Sequence, residues 1–210
     1  MKEKFWDIFS SKYDKITQGT NLTRDVEIEK SLKYIQSNHV ALDYGCGTGT
    51  LANSIADKVQ KVIAIDISSG MLEVAKKKAV EKQITNVEFL KISLFDEQLH
   101  QKYFDIIFAF NVLHFVEDGV KCIHRIHDIL KPGGYFISST ECGGENKKSF
   151  INVVTSLLSS VRIMPYVRLL TKNELDSSII DGGFEIVERE DFYNLNQPNH
   201  FVVAQKVQTT

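Results

Sequence analysis

Apolar residues follow two rhythms that alternate along the chain. Short β-branched and aromatic runs at 39–44, 61–66, 86–91, 104–110, 134–140, 184–190 and 201–205 have the length and composition of strands. Between them apolar positions recur every three or four residues. That spacing predicts helices near 22–37, 48–58, 69–83, 117–130, 147–161 and 172–181. In the helix near 117–130 the apolar stripe reads Val120, Ile123, His127 and Leu130, and Lys131-Pro132-Gly133-Gly134 ends it as a turn. The stretch from Phe150 carries Val153, Val154, Leu157, Leu158 and Val161 on one face. Thr171 and Glu174 have the spacing of a capping box, and Gly182-Gly183 closes the helix that it opens.

Strands that alternate with helices call for right-handed crossovers and a parallel sheet. The first five strands suit that scheme. The last two are joined only by 191–200, enough for a hairpin and too short for a helical crossover. The pattern therefore predicts one α/β domain over 1–210, a doubly wound five-stranded parallel sheet with an antiparallel hairpin at one edge. A helical N-terminal segment (1–37) and an insertion between strands five and six (141–170) accompany it.

With 210 residues, 43% hydrophobic and 25% charged, the chain can bury a full core. A net charge of −2 disfavours nucleic acid and anionic membrane as partners. The run Lys76-Lys77-Lys78 reads as a solvated helix face. The three cysteines, Cys46, Cys122 and Cys142, form no CxxC, in keeping with reduced thiols. The first residues are charged and lack the apolar core of a signal peptide. The apolar stretch 106–116 is broken by Asn111 and His114 and is too short to cross a bilayer. A soluble cytoplasmic protein is expected.

The richest segment is Leu42-Asp43-Tyr44-Gly45-Cys46-Gly47-Thr48-Gly49-Thr50, which links an apolar strand to a helix. Its glycines permit a sharp turn and a close ligand approach, and the helix N-terminus beyond offers free N–H groups. A dinucleotide fingerprint requires glycine where Thr50 stands, so the spacing here is GxGxG. Asp66 ends the next strand about 20 residues on, where a carboxylate accepts the hydroxyls of a ribose.

These residues resemble the class I S-adenosylmethionine (SAM)-dependent methyltransferases. The run at 42–50 is similar to their first motif and 64–68 to their second. Residues 104–114 and Leu130-Lys131-Pro132-Gly133-Gly134 are similar to the segments around their fourth and fifth strands. The resemblance implies a Rossmann-like seven-stranded sheet of order 3-2-1-4-5-7-6, with strand 7 antiparallel and helices on both faces. It implies that Gly45, Gly47 and Gly49 wrap the methionine part of SAM, with Cys46 and Thr48 in the same turn and Asp43 supporting it. By the same carry-over Asp66 holds the ribose, Ile67 and Met71 flank the adenine, and Asn111 lines the methionine end. Tyr13 resembles a tyrosine that closes over the cofactor; packing of the N-terminal segment is the other reading. Relatives often place an Asp after strand three to take the adenine amino group. Here Ser93 stands there, with the Leu94 N–H as a further donor and Asp96 as a substitute carboxylate.

Methyl transfer from a sulfonium asks mainly for positioning and exclusion of water, so no dedicated catalytic residue is required. His114, after strand four, is the candidate general base; a pocket-wall histidine is the alternative. His127 lies on the apolar stripe of its helix and His124 does not, so with Asp128 they are poorly placed as a ligand set, and no metal is expected. The chain has no Asn-Pro-Pro-Tyr or Asp-Pro-Pro-Tyr after strand four and no carboxylate cluster near strands four and five. The resemblance then implies methyl transfer to a small-molecule acceptor with release of S-adenosylhomocysteine. In similar enzymes the N-terminal segment 1–37 and the 141–170 insertion cover the substrate. Arg162, Tyr166 and Arg168 are candidates for holding an acidic group. The alternatives are a non-catalytic SAM-binding regulatory or scaffold module, and a methyltransferase acting on protein or RNA.

Overall fold

The computed structural model describes residues 2–17, 21–146, 165–194 and 197–207. Two N-terminal helices, α1 (Lys2–Ile16) and α2 (Asn21–Ser31), precede the alternating part. That part runs β1 (Val40–Tyr44), α3 (Thr50–Ile55), β2 (Lys61–Ile65), α4 (Ser69–Glu81), β3 (Val87–Leu90), β4 (Phe104–Phe110), α5 (Gly119–Ile129) and β5 (Leu130–Glu141). The chain finishes with α6 (Lys172–Asp181), β6 (Phe184–Asn194) and β7 (Gln197–Lys206). The helix expected near 147–161 and Arg162 lie outside the described residues.

The seven strands form one sheet in the order β3-β2-β1-β4-β5-β7-β6. Strands β1 to β5 pair in parallel, with Leu42 between Ile63 and Ile107. β7 runs antiparallel to both β5 and β6. Alternation along each strand splits the core in two. Ile107 and Ala109 turn to one face, with Leu42, Phe136 and Ile126 of α5. Ile106 and Phe108 turn to the other, with Phe201, Ala75 of α4 and Ile28 of α2. Both faces are apolar because a parallel sheet is covered on both sides.

Three local expectations need correction. In α5 the buried positions are Cys122, Ile123, Ile126 and Ile129, while Val120 is 56% exposed. Asp118 caps the helix through the Lys121 N–H and so fixes its phase, and Leu130 is already extended. The Lys131–Gly134 turn is absorbed into β5 as a bulge: pairing with β4 passes from Phe104↔Leu130 directly to Ile106↔Tyr135. The final hairpin is also longer than its apolar runs, because polar residues out to Asn194 and Gln197 still pair. The capping box holds. Thr171 and Glu174 bond reciprocally at the start of α6, and Gly182 caps its end.

Candidate functional site

The carboxyl ends of β1, β2 and β4 open into a cavity of about 480 Å³. The glycine turn forms its floor. Gly45 and Cys46 both donate their N–H to the Ile65 carbonyl, at 2.9 and 3.0 Å, which ties the turn to the end of β2. Gly45 has φ +72°, and a Cβ there would lie 2.6 Å from Val112 Cγ2. Gly47 differs: at φ +51° it has no atom within 4 Å of where a Cβ would stand. The first glycine is required by protein packing, whereas the second borders open cavity.

Two carboxylates flank the turn. Asp43 is buried behind it and accepts the Ala52 N–H at 3.1 Å; burial pushes its pKa up to about 7. Asp66 lines the cavity. Its two oxygens accept the Ser68 N–H at 2.8 Å and the Gly47 N–H at 3.0 Å, so the side chain is held in place at the cavity edge. Burial raises its pKa, and those N–H groups oppose the rise. Each oxygen keeps a second lone pair for a ligand hydroxyl.

Ile67, Met71, Ile92 and Phe95 make an apolar slot beside Asp66. At the tip of β4, Asn111 takes φ +53° and donates its N–H to the Ser139 carbonyl at 2.7 Å. The cavity continues past Asn111 to Val112, Phe115, Val116 and Pro165, with Glu117, Asp118 and Lys121 as its polar rim.

Helix α1 roofs the cavity through Trp6 and Tyr13, and Trp6 also meets Phe115 edge-on, with centroids 5.0 Å apart. Polar contacts hold the helix down. Asp7 accepts from Ser68 Oγ at 2.6 Å and from the Gly70 N–H at 2.9 Å. Asp14 accepts from Thr48 Oγ1 at 2.6 Å. Burial raises the Tyr13 pKa, so the phenol stays protonated at neutral pH.

Of the residues singled out from sequence, Tyr13, Gly45, Gly47, Asp66, Ile67, Met71 and Asn111 converge on this cavity. Asp43, Cys46, Thr48 and Gly49 stand behind or within the turn, Thr48 tied to α1 and Gly49 at the N-cap of α3. Ser93 and Leu94 do not line the cavity. Ser93 is exposed and its hydroxyl accepts from the Phe95 N–H, while Leu94 is packed in the core. Asp96 turns to the Gln98 N–H. His114 is not in the wall either; it is buried against Phe115, and burial lowers its pKa to about 4. Tyr166 and Arg168 also lie outside the lining, and the Arg168 N–H donates to the His114 carbonyl.

Sequence reasoning passed over Trp6, Phe95, Val112 and Phe115. Trp6 and Tyr13, seven residues apart on one helix face, were the signal for the roof. Also unforeseen is a buried network in which Glu27 accepts from Ser139 Oγ at 2.7 Å and Asn199 Nδ2 at 2.9 Å. Burial raises the Glu27 pKa. Among the described residues no group of three or more His, Cys, Asp or Glu converges as a metal-binding set.

A family model described as a methyltransferase domain matches residues 35–200. The chain is 28% identical over 174 residues to a ubiquinone biosynthesis O-methyltransferase of Acinetobacter baylyi, covering 79% of this chain and 71% of that one. It also superposes on a SAM-dependent methyltransferase of Methanosarcina mazei with TM-score 0.69 at 22% identity, over 84% of this chain and 96% of the other. A geranyl diphosphate C-methyltransferase of Streptomyces coelicolor was solved with Mg2+, geranyl diphosphate and S-adenosyl-L-homocysteine. It superposes with TM-score 0.73 at 12% identity, over 88% and 79%. The two structural likenesses concern the fold.

Proposed function

The chain belongs to the methyltransferase-domain family, class I SAM-dependent enzymes, and from that premise we propose where it holds the cofactor and which acceptor it methylates. Asp66 carries the reading. It is a clamped carboxylate at the end of β2, beside an apolar slot and opposite a glycine with open space at its Cα. That set fits SAM. Asp66 accepts the ribose hydroxyls, Ile67, Met71, Ile92 and Phe95 wall the adenine, and the space at Gly47 takes the methionine part. Asp43 supports the turn from behind, and Asn111 borders the methionine end.

When bound, SAM supplies a methyl on a sulfonium, already activated for in-line displacement. The chain's own residues bind, orient and keep water out. Trp6 and Tyr13 cover the cavity, and Val112, Phe115, Val116 and Pro165 give the acceptor an apolar wall. The acceptor is a small molecule, and the similarity to O-methyltransferases supports an oxygen nucleophile. His114 has no place in this scheme as a base, because Phe115 and Val112 occupy the wall at that point. An acceptor hydroxyl of low pKa needs no such base.

The test supplies the purified chain with methyl-labelled SAM and a panel of small phenols, carboxylates and amines. Label appearing as an ether on a phenol supports the reading. Label appearing only on amines refutes the oxygen assignment, and label appearing only on added protein or RNA refutes the small-molecule acceptor.

A further inference from the structure

Helix α1 separates its charges by face. Glu3, Asp7, Ser10 and Asp14 recur at helical spacing on the side that meets the rest of the protein, with Glu3 and Asp14 at its half-exposed margin. Glu3 pairs with Lys91, Asp7 holds the start of α4, Ser10 is buried, and Asp14 bonds Thr48 and Lys78. Trp6 and Tyr13 turn to the cavity. The outward face has a different chemistry. Lys4, Ile8, Lys12 and Ile16 follow one another at intervals of four, with Lys15 and Phe9 alongside. Ile8 is 75% exposed and Ile16 61%, and Phe9 stacks on Phe5 with centroids 4.6 Å apart. Lys4, Lys12 and Lys15 are exposed, and none pairs with a carboxylate among the described residues.

A helix that met only water would show a polar outer face. Here every acid of α1 is bonded to the body of the protein, and the outer face holds large apolar side chains among cations. That is the composition of a helix lying in a lipid headgroup layer. The geometry points to the outer face of α1 as a docking surface for an anionic lipid bilayer, with Ile8, Phe9 and Ile16 inserted and the lysines at the phosphates. Charge selects this occupant. A second copy of the chain docked through the same face would set three lysines against three. The helix has 15 residues and spans about 22 Å at 1.5 Å per residue. No helix among the described residues is long and apolar enough to cross a membrane, so the contact is superficial. Because α1 also roofs the cavity, docking brings the roof to the bilayer, where an acceptor with an apolar tail resides. That consequence rests on the methyltransferase reading; the surface itself does not.

The test sediments the full chain with phosphatidylcholine vesicles, with and without phosphatidylglycerol. Partitioning onto the anionic vesicles is expected to be about tenfold greater, and to fall by about tenfold in Lys12→Glu/Lys15→Glu. A similar fall is expected in Ile8→Ser/Ile16→Ser, with melting temperature and S-adenosylhomocysteine binding unchanged in both variants. Equal partitioning onto both vesicle types, or unaltered binding by both double variants, would each overturn the proposal. Vesicle binding in a chain that fails to bind S-adenosylhomocysteine would uphold the surface and refute the methyltransferase reading instead.

Discussion

Gly45 and Gly47 stand two residues apart in one turn and answer to different constraints. A methyl at Gly45 collides with Val112 and strains a left-handed backbone, so Gly45→Ala should lower stability by about 1–3 kcal/mol, read by chemical denaturation. A side chain at Gly47 meets no protein atom, so Gly47→Val should retain most of its stability, lose about 1 kcal/mol to its backbone conformation, and lose SAM binding. Equal effects of the two changes on stability would contradict the packing seen at Val112. Asp43 has a folded-state pKa raised to about 7 from an ordinary 3.8. A raised carboxyl pKa favours folding while the group is protonated, and that contribution is lost as pH climbs through about 7. In the ligand-free chain Asp43→Asn should therefore gain on wild type between pH 4 and pH 8 by up to about 4 kcal/mol. A constant difference across that range would show that the carboxylate is not so buried. Asp66, Gly45 and Gly47 could be placed at the cavity from sequence because a glycine turn and a strand end fix their positions through the backbone. Ser93 and His114, singled out from sequence, stand outside the lining. Their neighbours Ile92 and Phe115 face the cavity, and one-residue differences in where a loop turns cannot be read from spacing.

At the scale of elements, the sequence was most informative where side chains themselves make the boundary. The reciprocal Thr171–Glu174 bonds start α6 at the predicted residue, and Thr171→Ala should cost about 1 kcal/mol by thermal or denaturant unfolding. No loss would mean that the exposed cap is replaced by water. Strand β4 was found end to end, because alternate residues are buried on two different faces and the run is continuously apolar. Pairing across the sheet was less visible. β5 begins four residues early because a bulge carries the Lys131–Gly134 turn into the ladder, and β6 and β7 extend into polar sequence. At the hairpin, His200 is buried with its two ring nitrogens at 2.6 Å from Asp191 and 3.1 Å from Asp176, an arrangement that only the paired strands assemble. The phase of α5 was misjudged for a related reason. Its outward Val120 is as apolar as the buried Ile123, and only the cap at Asp118 distinguishes them.

Taken as one molecule, the chain places the groups that line the cavity along one edge of the sheet and bridges them with α1. Connection lengths foretold the terminal hairpin and the family resemblance implied the strand order, and the sheet has that order. The bridging helix was foreseen as a cover, but its charge segregation was hidden by a net charge near zero, since a sum over the chain cannot report opposite faces. If Asp66 and the glycine turn hold SAM as proposed, calorimetric titration with SAM, S-adenosylhomocysteine and NAD will show it. Wild-type chain should bind the first two and not NAD, and folded Asp66→Ala should bind SAM at least about 100-fold more weakly, the loss of two hydrogen bonds to a charged acceptor. NAD binding in place of SAM, or undiminished SAM binding by Asp66→Ala, would contradict it.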